Sequence, residues 1–389
     1  MHRRFRRTLN NLKKDIAKNM TQQTPLSPTR ETMTLLSRLL LVPQAGDPSS
    51  AAMGELKSDI RSLSKPQFDE LLALANSNHV VVRGMELFLG MVLEVKDETR
   101  AEWAQTALAV ERSRITTAVK FLHEICSAIE GERLDVTVIK SLDHLPDLGS
   151  DLDLYTNASP DDISRVMKKH FNAEIASRSW GDRLACKWNF EIPGLPEAVE
   201  IHMGRLGQTG EQTSIASRLI ERSRLVSVEG QTFRVTAVSD RLLISTLQRM
   251  YRHFYFRLCD VIDSAALIES GIVDYSDLQS AASSADIWQG VATYLVIVSD
   301  YVKQYRGTGL VLPKMVTDAA RFGGEQVYFA KEFIRVPIMP QSAKLYTAQL
   351  AGLLRKREIQ SGARLSLLPW LATAALVGLK VTGSDKGIW

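Results

Sequence analysis

Apolar residues recur at helical spacing over two long stretches of the chain, and between these stretches they alternate with polar residues as strands require. Leu35, Leu36, Leu39 and Leu40 recur three and four apart, and Ser27-Pro28 followed by Glu31 has the composition of a helix start. From Phe68 to Ile129 the helical period continues with few breakers, which predicts several packed helices before a first strand at about Leu134. Residues 134–235 hold the strand signals: Val136 to Ile139, Leu152 and Leu154 alternating with acids, Leu184 to Phe190, Ala198 to His202, and Thr232 to Val235. A helix is predicted between them at Pro160 to His170. Ser239 has the chemistry of an N-cap, with Asp240 in the first turn, and from there the chain reads as helical to about Arg306. Beyond it the signals weaken among the breakers Gly307, Gly309, Pro313, Gly323-Gly324, Pro337 and Pro340.

This pattern predicts an α/β (α+β) fold, a small mixed sheet flanked by helical regions. The expected divisions are a basic tail over 1–24, a helical region over 25–130, the sheet-bearing core over 131–236, a helical region completing a cleft over 237–306, and a helical or irregular region over 307–389. Residues 21–29 read as a linker and 43–50 as a second soft break.

Chemistry concentrates in the middle. Asp151 and Asp153 are two apart in a strand, so their carboxylates share one face about 6.5–7 Å apart. Acids that close repel unless a cation lies between them, and Mg²⁺ favours carboxylate oxygens while keeping positions for phosphates. Two acids on the solvent face of an edge strand give the same string. The turn formers Asp143, Pro146, Asp147 and Gly149, between Ser141 and the pair, make a strand-loop-strand unit of it. In the later strand Ala198-Val199-Glu200-Ile201-His202, Glu200 and His202 share a face, and an antiparallel neighbour would bring Glu200 beside the pair.

In order and spacing these motifs resemble the nucleotidyltransferases of the DNA polymerase β superfamily, and within it the family usually described only as uncharacterised nucleotidyltransferase. The family's strand ending in Leu-Lys-Gly, its Asp-x-Asp-Leu and its acid-apolar-His triplet are matched by Ile139-Lys140-Ser141, Ser150-Asp151-Leu152-Asp153-Leu154 and Glu200-Ile201-His202. Its last motif is matched by Ser239-Asp240, the run from His253 to Asp263, and Ile272 to Tyr275, so the resemblance covers about residues 30–300. The chain departs from the pattern at Ser141, where the family has Gly, and no Gly-Ser pair like that of the wider superfamily stands at that point.

The resemblance implies Mg²⁺-dependent transfer of a nucleotidyl group from a nucleoside triphosphate, ATP first among them, with release of pyrophosphate. Asp151, Asp153 and Glu200 would hold metal, with Glu200 on the attacker's side or deprotonating the acceptor. Lys140, Ser141 and Ser150 would meet the triphosphate, and His202 would orient the acceptor or serve as a structural hydrogen-bonding group. His253 and Arg257, with Arg252, are candidates for phosphate or base contacts, bracketed by Tyr251, Tyr255 and Phe256; His253, Arg257 and Asp260 would share a helix face. An intrahelical Arg257–Asp260 ion pair is the competing account. Arg178, Arg183 and Lys187 either line the cleft or are solvated, and Trp180 and Trp188 read as core or rim residues.

The acceptor is not written in the sequence: a small molecule, a sugar or glycan, a peptide or protein side chain and an RNA end stay open. A formal charge of +4 over 389 residues implies no general nucleic-acid coat. Much of the excess lies in Arg3, Arg4, Arg6, Arg7, Lys13, Lys14 and Lys18, opposed by Asp15. That segment suits weak contact with an anionic membrane or another polyanion, a transit peptide, or a solvated tail. Cys126, Cys186 and Cys259 fit neither zinc-ligand spacing nor a disulfide framework and read as buried residues of a reducing, cytoplasmic protein. Leu365 to Leu379 is apolar but contains Pro369 and is shorter than the roughly 20 residues of a spanning helix, so a packed or surface-seated helix is expected. Three other readings remain: an inactive nucleotide-binding or scaffold protein of the same fold, a toxin-like transferase acting on tRNA, and a membrane-associated interaction protein.

Overall fold

A computed structural model describes residues 29–43 and 50–374. The basic segment, the Ser27-Pro28 start, most of the 43–50 break and the end of the Leu365–Leu379 stretch lie outside the described residues.

The helical period before the sheet resolves into helices Arg30–Leu41, Ala51–Ser62, Lys65–Ser77, Val81–Glu94 and Glu98–Gly131. The first is capped by Thr29, whose hydroxyl accepts from the Thr32 amide. Helix Glu98–Gly131 is about 50 Å long; it buries Ala104, Leu108, Ile115, Val119, Leu122, Ile125 and Ile129 along one side.

Ten strands are present among the described residues: β1 Thr137–Val138, β2 Asp151–Thr156, β3 Glu174–Ile175, β4 Lys187–Glu191, β5 Ala198–Met203, β6 Arg224–Val228, β7 Gln231–Val235, β8 Tyr255–Phe256, β9 Tyr328–Ala330 and β10 Phe333–Arg335. The first seven form one mixed sheet in the order β3-β4-β5-β2-β1-β7-β6, and the last three a small sheet in the order β8-β10-β9. At the centre of the large sheet Leu152, Leu154, Val199 and Ile201 are fully buried, each contributing about 1.5–3 kcal/mol. Their alternation turns Asp151, Asp153, Glu200 and His202 to the other face. Buried apolar residues make one continuous cluster from Met33 to Leu345.

The expected antiparallel neighbour of β2 is a parallel one. Helix Pro160–Phe171 carries the chain back across the sheet and β4 makes the return, so β5 enters in the same direction as β2. Residues 180–184 are a short helix capped by Ser179, which delays β4 to Lys187 and leaves Arg183 exposed on a helix, off the face Lys187 occupies. Ser239 lies inside helix Val238–Thr246, whose cap is Ala237; Asp240 does fall in the first turn, 3.0 Å from Arg218. The helical run to Arg306 breaks after a π-helical turn, Leu247–Arg252. There Phe254 takes a φ of 55°, and β8 pairs with β10, a partner distant in sequence that local periodicity does not encode. His253, Arg257 and Asp260 therefore do not share a helix face. Arg257 caps helix Leu258–Glu269, and its amide donates to Asp260.

Cys126 and Cys259 are buried, but Cys186 is partly exposed. Among the described residues no helix is long and apolar enough to cross a membrane.

Candidate active site

The parallel register of β2 and β5 sets Asp153 directly opposite Glu200 and Tyr155 opposite His202, while β4 sets Lys187 opposite His202 from the other side. Asp153, Glu200 and Lys187 border a cavity of about 240 Å³ whose wall also includes Ser141, Gly149, Ser150, Asp151, Gln248, Arg249, Arg252, His253, Tyr255 and Arg257. Lys140, Lys187, Arg249, Arg252 and Arg257 supply five cationic groups to that wall against the three carboxylates of Asp151, Asp153 and Glu200. A partly enclosed cavity with that balance attracts polyanions.

The loop entering β2 is clamped from the N-terminal helices. Arg114 donates to the carbonyls of Leu148 (2.9 Å) and Gly149 (3.1 Å), and Arg83 to the carbonyl of His144 (2.9 Å) and the carboxylate of Asp147 (2.8 Å). Lys140 leaves β1 with φ 65° and ψ −53°, bridged by a Ser141 amide to Ile139 carbonyl bond of 2.7 Å. That is a γ-turn of the rarer, strained kind, and backbone strain of this sort gathers at functional sites. The turn aims the Lys140 ammonium into the cavity, where it contacts Asp153 and lies 3.8 Å from Glu200. Ser141 is 2% exposed; its hydroxyl accepts from the Asp153 amide at 2.7 Å, which pins the start of β2. Ser150 stands exposed at the cavity mouth, 3.4 Å from Asp151.

Glu200 is fully engaged. One oxygen accepts from His202 Nε2 at 2.8 Å and the other from Lys187 Nζ at 2.9 Å, and Lys187 in turn contacts Asp182 at 2.8 Å. Burial opposes charge on Glu200, but Lys140, His202 and Lys187 outweigh it and hold the carboxyl well below its usual range. Asp153 goes the other way: burial, reinforced by the charges of Glu200 and Asp151, pushes it up to about 7 despite Lys140. Asp151, the most exposed of the three, is raised by partial desolvation and by Glu200. The tightest group of ligand atoms here is Asp153, Glu200 and His202, within 4.8 Å of one another, with Asp151 outside that group.

His202 is buried behind Glu200 and borders a separate cavity of about 30 Å³, so it is not turned toward an acceptor in the main cavity. Its contact with Glu200 makes it a positioning residue. For the nucleotidyl transfer expected from the sequence, His202→Ala should slow turnover about 10–100-fold with nucleotide affinity unchanged, as steady-state kinetics beside a binding titration would reveal; loss of nucleotide affinity would contradict this role.

His253 and Arg257 both reach the cavity, from either side of β8. Burial and the nearby Arg252, Arg249 and Arg257 hold His253 well below its usual pKa, so it enters the site neutral. Tyr255 stacks on Phe333 of β10 with centroids 4.2 Å apart, and Arg335 and Arg257 lie 5.0 and 5.9 Å from the Tyr255 ring. Tyr251 and Phe256 are core residues instead, Phe256 stacking on Tyr294. Arg178 packs over Trp188 at 4.1 Å and is not part of the cavity wall, while Trp180 is exposed. Arg249, Gln248, His79 and His144 also line the cavity and carry no motif signal in the sequence. Only their convergence in space reveals them.

No family model and no curated protein sequence matches the chain. Among solved structures, the antibiotic-resistance factor ANT(2'')-Ia superposes with a TM-score of 0.31 at 10% identity, over 43% of this chain and 91% of that one. An antigenic nucleotidyltransferase-like protein from Paracoccidioides brasiliensis gives 0.32 at 14%, over 52% and 96%. Superpositions this loose leave the assignment to the residues of the site themselves.

Proposed function

We propose that this cavity transfers a nucleoside monophosphate from a nucleoside triphosphate, ATP being the first to test, to an acceptor with a nucleophilic oxygen or nitrogen. The observation that carries the reading is the register of Asp153 against Glu200, with Asp151 two residues earlier, in a cavity whose remaining charges are cationic. Asp151, Asp153 and Glu200 offer carboxylate oxygens, which suit Mg²⁺, and these three would hold it. Bound there, Mg²⁺ supplies neutralisation of the charge that builds on the phosphates. The acceptor atom bonds to the α-phosphorus, the bond to the bridging oxygen breaks, pyrophosphate departs, and the acceptor's proton leaves to solvent or a nearby base.

The chain's own groups divide the remaining work. Arg252 and Arg257 attract the triphosphate, and the Tyr255 ring offers the base a stacking surface. Lys140 contacts Asp153 and would have to move off that carboxylate for a cation to bind, which frees its ammonium for the phosphates. Because both oxygens of Glu200 already accept hydrogen bonds, Glu200 suits an electrostatic role better than proton abstraction. The same lysine contacts favour a second reading, nucleotide binding without transfer, in which Lys140 and Lys187 permanently replace the metal.

Incubation with α-³²P and γ-³²P nucleotides and fractionated small-molecule, glycan, protein and RNA pools separates these readings. Label passing to an acceptor from the α position only, and lost in Asp153→Asn, supports transfer. Nucleotide binding without label transfer from any pool supports the second reading.

A further inference from the structure

Two imidazoles of the cavity wall and a thiol buried behind them make a second set of ligand atoms that nucleotidyl transfer leaves unused. His79, His144 and Cys259 each offer one, all within 4.8 Å of one another. They converge from three elements: His79 follows helix Lys65–Ser77, His144 ends the turn Ser141–His144, and Cys259 lies in the first turn of helix Leu258–Glu269. Two imidazoles and a thiol are softer donors than the carboxylates nearby, and they suit Zn²⁺ where those suit Mg²⁺. We infer that His79, His144 and Cys259 form a binding site for one zinc-type divalent ion, reached from the cavity that the two imidazoles line.

Three observations carry the inference. His144 already has the outer partner of a metal-bound histidine: its Nδ1 lies 2.5 Å from Asp263 Oδ2, and the other oxygen of Asp263 accepts from Arg83 at 2.6 Å. That contact fixes the ring orientation and turns the opposite ring nitrogen to Cys259, with which it shares a hydrogen bond that a bound ion would replace. His79 Nδ1 is buried without a hydrogen-bond partner, an orphaned acceptor or donor that an ion would satisfy. The third observation is the framework. His79 is held at a φ of 53°, which side chains seldom adopt, while Asn78 beside it binds the carbonyls of Leu74 and Glu332 and accepts from the amides of Leu258 and Cys259. One residue thus ties the His79 segment to the Cys259 segment. Gly149 packs so closely that a Cβ there would meet the His79 ring at 3.2 Å. Three protein ligands leave a tetrahedral ion one further position, open to water or to an anionic oxygen of a bound substrate.

The test needs no nucleotide and so stands apart from the transferase reading. Full-length chain stripped with a chelator is titrated with Co²⁺ and then Zn²⁺, following the thiolate-to-cobalt charge-transfer absorption and the metal bound per chain. The expected result is one Co²⁺ per chain with a charge-transfer band, displaced by Zn²⁺. The band is absent in Cys259→Ala, affinity falls about 10–100-fold in Asp263→Asn, and Asp153→Asn leaves the band unchanged. His79→Gln, a milder change than His79→Ala, weakens binding without abolishing folding, checked by circular dichroism. No band in folded wild type at saturating Co²⁺ overturns the site. So does a band that survives in Cys259→Ala, or one that vanishes only in Asp153→Asn, which would put the ion on the carboxylates.

Discussion

Asp153→Asn is expected to lower nucleotidyl transfer by about 10³-fold or more, since a metal-phosphate contact is worth several kcal/mol in the transition state and each 1.4 kcal/mol is a factor of ten. Asn keeps the shape of the side chain and loses the charge. Asp153 is crowded by Glu200 and Asp151, so neutralising it also relieves repulsion, and folding stability should move by no more than about 1 kcal/mol. The variant therefore separates the chemistry from the fold. Glu200→Gln should also inactivate, with a clearer stability cost, because Lys187 and His202 lose a charged partner. Full activity in a folded Asp153→Asn would remove the site from consideration. Rate assays paired with urea unfolding of each variant distinguish these outcomes.

The largest effect on stability is expected at Arg249 and Asp260. Both side chains are 2% exposed, and they form an ion pair of 2.7 Å beneath the cavity. Asp260 also accepts from the Arg257 amide at the start of helix Leu258–Glu269, so one carboxylate joins the π-helical turn to the next helix. Asp260→Ala leaves a buried guanidinium unpaired, which costs about 3–5 kcal/mol, a large share of the roughly 5–15 kcal/mol by which a domain is stable. The double variant Arg249→Met/Asp260→Ala should recover part of that loss, because the unpaired charge is gone. Denaturant unfolding of the two singles and the double measures the coupling. A cost below about 1 kcal/mol for Asp260→Ala would mean that water from the cavity already solvates Arg249.

The parts of the site legible in the sequence are those encoded by short-range periodicity. Alternation around Asp151-Leu152-Asp153-Leu154 and Glu200-Ile201-His202 was enough to put the acids on one face of two strands, because the leucine and isoleucine positions must be buried. Helix Pro160–Phe171 was legible from the same kind of signal, and its role as a crossover is what turns the Glu200 strand parallel. What was not legible depends on partners far along the chain. β9 and β10 are three residues each, too short for a period, yet β10 supplies Phe333 to the Tyr255 stack and ends the helix expected through His253. Arg83 and Arg114 look like ordinary surface cations on helices until the loop before β2 folds onto them. His79, His144 and Cys259 are separated by 65 and 115 residues, so no ligand-spacing rule applied to the cysteines could group them.

The central claim, that Asp151, Asp153 and Glu200 form a cation-dependent nucleotide site, is tested most directly by calorimetric titration of ATP, GTP, CTP and UTP into wild type and Asp153→Asn, with and without Mg²⁺. The account predicts binding of at least one nucleotide that requires Mg²⁺ and is lost in the variant. Binding that is indifferent to Mg²⁺ and equal in the two proteins would contradict it.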